Sequence, residues 1–177
     1  KLKNAAELRP YNVGAVLLTG AISDGHTTMA FPCDHPEEPN DWGSRLLIRC
    51  IHEHPWTAHN LGFEYAWLRF EAEKLGLPWR PKEVEDSMAM VRLLNRRARM
   101  LSLEDSFLLH FGVNMKALTG VDARHIMKYP LSEVLPYNGI DAQSGLMLTK
   151  RLRKKVNERN YRRIVDSTIA TADMALM

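Results

Sequence analysis

The stretch TAHNLGFEYAWLRF, residues 57–70, places an amide and a carboxylate, Asn60 and Glu64, in a segment that is otherwise mostly apolar and aromatic. Four residues apart, the two share one face of a helix. Phe63, Trp67 and Leu68 flank that face. A carboxylate beside an apolar wall is unfavourable unless a backbone group, a cationic side chain or a metal ion partners it. Two ordinary readings compete with a functional one. Asn60 can serve only as a helix cap, a common role for Asn at a helix start. Glu64 can pair with Arg69 or Lys74 on a solvated surface.

The neighbouring sequence gives this helix its setting. WTAH (56–59) reads as a short buried strand, and the helix then runs over 61–75, stopped by Gly76 with Pro78 beyond. Upstream, Val13 to Ile22 is apolar and partly β-branched, SDG (23–25) is a turn, and His26 to Phe31 returns as the second strand of a hairpin. The prolines of DHPEEPND (34–41) mark a loop, and WGSRLLIRCIHEH (42–54) has helical periodicity ending before Pro55. Residues 83–94 read as a strand entering a helix, with Asp86 or Ser87 as N-cap. In LSLEDSFLLHFG (101–112), Ser102 is the cap, Asp105 the third helical residue and Gly112 the stop. Residues 113–130 have no period and read as loop, whereas 131–160 read as helix with an interruption at Pro136. Strands first, then strands alternating with helices, then helices imply an α/β layered domain with a mixed sheet.

The composition fits one such domain. The chain has 177 residues, 45% hydrophobic and 25% charged, enough for one core. No apolar run approaches the roughly 18 residues of a membrane span, and no targeting segment is evident, so no membrane partner is expected. Two cysteines, Cys33 and Cys50, are too few for a disulfide framework and suit a reducing cytoplasm. The net charge of +3 is modest, but RLLNRRARM (92–100) and KRLRKKVNERNYRR (150–163) concentrate it. The second stretch reads either as a helix beside a polyanion or as a solvated face. His52 and His54 have the wrong spacing for one helix face, and no second Cys/His cluster follows, which argues against zinc.

YNGIDAQSGLML (137–148) repeats the opening logic, with Tyr137 and Asp141 four residues apart. A carboxylate and a phenol on one helix face can act on one water, the acid holding a metal and the phenol orienting the nucleophile. Alone the pattern is common; Tyr137 can simply pack and Asp141 cap or pair.

Taken in order, with EDSMAMVRLL and LSLEDSFLLHFG between them, the two constellations resemble the 3′–5′ exonuclease domain of family A DNA polymerases, phage-type or bacterial, in the wider DnaQ-like superfamily. Asn60, Phe63 and Glu64 match its second acidic motif, and Tyr137 and Asp141 its third. The resemblance covers roughly Val13 to Leu152. It implies an RNase H-like fold, a mixed central sheet flanked by helices, for residues 1–152. It also implies a helical segment, 153–177, leading toward a polymerase domain of the same parent chain. Two departures matter. The family's first motif, Asp-x-Glu on the first strand, is not found before the hairpin, and the opening Lys1 suggests that this strand lies upstream. Glu64 stands where many members carry Asp, although a longer carboxylate still suits a hard cation.

The implied chemistry is phosphodiester hydrolysis by two Mg²⁺ or Mn²⁺ ions about 4 Å apart. Glu64 and Asp141 would be ligands and Tyr137 would orient water. Asn60 and His59 would lie beside the terminal nucleotide or brace the site. Trp67, or an apolar residue of 113–136, would stack on a base, and Lys116 would hold phosphate. The implied substrates are single-stranded or frayed 3′ DNA ends. Lacking two carboxylates, the chain Lys1–Met177 is expected to be inactive by itself. A degenerate fold retained as a non-catalytic DNA-binding module, and an RNase D-like exonuclease acting on RNA, fit the same residues.

Overall fold

The hairpin forms further along than its apolar run begins. Strand β1 (Thr19–Ser23) pairs antiparallel with β2 (Thr28–Pro32), Thr19 opposite Pro32 and Ser23 opposite Thr28. Two further bonds extend the ladder, from the N–H groups of Cys33 and Asp34 to the carbonyls of Leu18 and Leu17, both 2.9 Å. In the turn, the Asp24 carboxylate accepts the N–H groups of His26 (2.7 Å) and Thr27 (2.8 Å), an Asx turn. In this computed structural model, residues 10, 12, 14–95 and 101–175 are described, apart from the side chains of Lys116, Ala123 and Arg124.

The predicted proline loop contains a minimal hairpin, β3 (Asp34–His35) with β4 (Glu38–Pro39). Helix α1 (Trp42–Glu53) follows and buries Ile48 and Ile51. Its Gly43 lies so close to β2 that a Cβ there would stand 2.0 Å from the Pro32 carbonyl oxygen. Strand β5 (Trp56–Ala58) leads into α2 (Leu61–Lys74), and after a Pro-containing connection β6 (Val84–Asp86) returns parallel to β5. Helices α3 (Ser87–Leu94) and α4 (Leu103–Phe111) begin on the expected caps, Asp86 accepting from Met88 N and Ser102 from Asp105 N. Gly112 ends α4 in the left-handed conformation, φ 72°.

Three expectations need correction. Residues 113–130 are not plain loop, because they form α5 (Lys116–Thr119) and a 3₁₀ stretch (Ala123–Lys128) broken at His125, turns too short to show a period. Pro136 does not interrupt its helix, since α6 (Leu131–Leu152) runs through it. Proline there removes one bond to the Ser132 carbonyl, and Ser132 is exposed, so water can satisfy that group. The real break comes after Leu152, with a 3₁₀ turn (Arg153–Lys155), extended Val156, and then α7 (Glu158–Ala175).

The molecule is mixed α/β, but the described strands form three separate two-stranded sheets and not one. Helix α6 unites two of them. It lies along the β1–β2 hairpin, with Gly139 against Thr28 and Ala30, and Asn138 hydrogen-bonded to Thr19. It meets the parallel pair through Thr149 and Thr57, whose hydroxyls are 2.6 Å apart. Leu61, Met90, Leu148, Leu152 and Tyr161 form the fully buried centre between α2, α3, α6 and α7. The described part of segment 153–177, residues 153–175, packs along α2 and α3 through the buried Tyr161, Val165 and Ala172 of α7, so it contributes to this core. No described helix is long and apolar enough to cross a membrane.

Candidate functional site

Parallel strands β5 and β6 end side by side, Ala58 opposite Asp86, and both chains then turn into helices. The carboxyl ends of such strands are where α/β folds collect ligand-binding groups. His59, Asn60 and Glu64 follow β5, and Asp86 ends β6. Tyr137 and Asp141 come from α6, which the Thr57–Thr149 bond fixes to β5.

Glu64 sits in the first turns of α2, and its Oε1 accepts the His59 N–H at 3.2 Å. That bond favours the ionised carboxylate, yet the group is lifted to about 7, by burial first and by the charges of Asp86 and Asp141 besides. Asp141 is likewise lifted to about 7. Burial is the largest cause, the Tyr137 hydroxyl opposes it, and the charge of Glu104 adds to it. Tyr137 is pushed well above its ordinary range by burial and by Asp141 and Glu104, so its phenol keeps its proton and donates to Asp141. A small cleft lined by Glu104, Met115, Thr119, Tyr137, Ile140 and Asp141 opens beside the pair.

The other proposed contacts separate by environment. Asn60 occupies the N-cap position but makes no side-chain cap bond, and its side chain is exposed. Its backbone has φ 143° and ψ 62°, a region that favours glycine, and no other described non-glycine residue has positive φ. His59 is turned inward and only 8% exposed. One ring nitrogen lies 2.8 Å from Ser87 Oγ and the other 2.7 Å from the Leu101 carbonyl oxygen. The carbonyl must accept, so Nε2 carries the proton, and burial holds the imidazole below its ordinary pKa. The ring therefore braces the β5–α2 and β6–α3 turns against residue 101. Trp67, one turn beyond Glu64, is half-buried and tilted against Phe63, with ring centroids 6.3 Å apart. The side chain of Lys116 lies outside the described residues.

Two acids enter the site that spacing did not mark. Asp86 is visible in sequence as a cap, but its proximity to Glu64 requires the parallel pairing of β5 and β6. Glu104 opens α4 and reaches Asp141 only through tertiary packing. Four carboxylates thus lie within electrostatic reach in a chain, Asp86–Glu64–Asp141–Glu104. Such hard oxygen donors suit Mg²⁺ or Mn²⁺. Among the described residues, however, no three His, Cys, Asp or Glu side chains are arranged around one point as a complete metal site. The set fits part of a cation site.

Two arginines of the second basic stretch are paired within the fold. Arg153 binds Glu85 at 3.0 Å, Arg162 binds Glu85 and Glu158 at 2.9 Å each, and the two guanidinium groups flank the Tyr161 ring. Residues 96–100 of the first stretch lie outside the described residues. His52 accepts the Arg80 N–H at 3.2 Å and sets its ring edge against Trp79, a packing role. No protein-family model, no curated protein and no solved structure matches the chain.

Proposed function

We propose that this chain is the 3′–5′ exonuclease part of a DNA-polymerizing enzyme, removing nucleotides from single-stranded or frayed 3′ ends with Mg²⁺ or Mn²⁺. The observation that carries the reading is the convergence of Glu64 and Asp141, both lifted to about 7, with the Tyr137 phenol one turn from Asp141. Acids clustered against their own repulsion in a cleft are a signature of catalytic and cation-binding sites.

The bound cations would activate the attacking water and stabilise the departing 3′-oxygen. Glu64 and Asp141 would hold them. Tyr137, whose phenol keeps its proton and donates it in a hydrogen bond to Asp141, would orient water as an acceptor through its oxygen and does not act as a base. Asn60 offers an exposed amide, and the exposed ring of Phe63 beside Trp67 offers an apolar surface on which a base can stack.

The hairpin β1–β2 and the pair β5–β6 lie on one helix, α6, and each keeps strand edges that no described strand occupies. In an RNase H-like arrangement a further strand joins two such pairs and brings the remaining carboxylates of an Asp-x-Glu motif. The test is a nuclease assay on end-labelled single-stranded DNA with Mn²⁺. A form carrying that strand should digest stepwise from the 3′ end and its Asp141→Ala variant should not, while Lys1–Met177 alone should be silent. Digestion that survives Asp141→Ala, or none by the longer form, would overturn the reading, and the latter would favour the non-catalytic module.

A further inference from the structure

The strained backbone of Asn60 has no cause inside its own turn. The Asn60 carbonyl accepts the N–H groups of Phe63 (2.9 Å) and Glu64 (3.2 Å), as any N-cap carbonyl can, and its side chain makes no cap bond. Strain of this kind persists only where the surroundings over-determine it. The peptide that Asn60 aims is the one carrying the Leu61 N–H; the pairing of β5 with β6 sets Ala58 opposite Asp86, and this N–H is among the backbone donors that favour the ionised Asp86 carboxylate.

Asp86 is held from several sides. It is 5% exposed, its carboxylate accepts the Met88 N–H at 2.9 Å, and the Ala89 N–H also faces it. Its own N–H donates to Tyr161 Oη at 2.6 Å, and Tyr161 is fully buried on α7. One buried carboxylate thus meets the amino ends of two helices, where anions are favoured, while its backbone is anchored to a third.

We propose that Asp86 is a positioning residue that clamps the first turns of α2 and α3 together, holding Asn60 in its strained conformation and Glu64 within reach of Asp141. The clamp stands on its own geometry; its consequence for cation binding rests on the reading of Glu64 and Asp141 given above. The acid does not itself touch substrate. It sets where α2 begins, and so where Asn60 and Glu64 point.

The experiment is amide hydrogen exchange by NMR on the wild-type chain, Asp86→Ala, Asn60→Gly and the double variant, with Mn²⁺ titrated into each. In Asp86→Ala the amides of Phe63 and Glu64 should exchange about tenfold faster or more, while Val165 in α7 keeps its protection. The double variant should recover protection at Phe63 and Glu64, because glycine holds the positive φ without a clamp. Should Asp86→Ala not fold, Asp86→Ser keeps a capping oxygen for Met88 on a shorter side chain, and faster exchange at Phe63 and Glu64 is again expected. Wild-type protection at those two amides in Asp86→Ala or Asp86→Ser, an equal rise at all amides, or no recovery in the double variant would overturn the clamp. The expected exchange pattern with no Mn²⁺ binding by any form, wild type included, would uphold the clamp and count against the exonuclease reading.

Discussion

The hydroxyls of Thr57 and Thr149 meet at 2.6 Å, and through them the strand leading to Glu64 is fixed to the helix carrying Asp141. Thr149 donates to the Gly145 carbonyl at 2.9 Å, so Thr57 is the donor between the pair. The two halves of the candidate site are registered by this bond. Thr149→Val keeps the shape and removes the acceptor, leaving the Thr57 hydroxyl without it. A loss of about 1–2 kcal/mol is expected in urea unfolding, with weaker Mn²⁺ binding; unchanged stability and affinity would mean that the bond does not set the site.

Acidity gives a second prediction. Glu64 and Asp141 stand at about 7 in the folded chain, above their ordinary values of 4.5 and 3.8. The folded state therefore holds protons that the unfolded state releases. Their contribution to stability is complete below the unfolded values and is lost as pH rises through about 7. Urea midpoints should fall between about pH 5 and about pH 8 without added cation, and Glu64→Gln should show a smaller fall. An equal fall in the variant would show that Glu64 is not the group concerned. Mn²⁺ affinity should rise over the same interval.

Asn60→Gly should stabilise the chain. Relief of an unfavourable backbone conformation is worth about 1–3 kcal/mol, against about 0.4–1 kcal/mol for the freer unfolded chain. A net gain of about 1 kcal/mol in thermal unfolding is expected, and a loss would contradict the strain. If the exposed amide contacts nucleic acid, the same variant should bind single-stranded DNA more weakly.

Tyr161→Phe removes the acceptor of the buried Asp86 N–H with little change of volume. A loss of about 1–3 kcal/mol is expected. The variant also tests whether α7 is integral to this core: if it is, unfolding should remain one cooperative transition, and an early separate loss of helix signal would say otherwise.

The local rules were legible in the sequence. The turn at SDG (23–25), the Ser102 and Asp86 caps and the Gly112 stop depend on neighbours a few residues away, and each lies where its pattern put it. Pro136 misled because a single lost bond with an exposed carbonyl is tolerable near a helix start. In the site, the pairing of Tyr137 with Asp141 could be read from helix geometry, whereas Asn60 precedes α2 with a non-helical backbone and the helix face expected for it and Glu64 does not include it. The inward turn of His59, the reach of Glu104 and the nearness of Asp86 to Glu64 could not be read in this way, because they arise where β5, β6, α4 and α6 meet. The inward pairing of Arg153 and Arg162 was hidden for the same reason, since Glu83 and Glu85 lie some seventy residues upstream.

Under the proposed function Glu64 and Asp141 hold a divalent cation, and isothermal titration of Mn²⁺ into the wild-type chain and into Asp141→Ala at neutral pH decides whether they do. Saturable binding in the micromolar range by the wild type is expected, lost in Asp141→Ala and weakened in Glu64→Gln. Absence of saturable binding by the wild type, or binding by Asp141→Ala equal to it, would rule out a cation site at these two carboxylates.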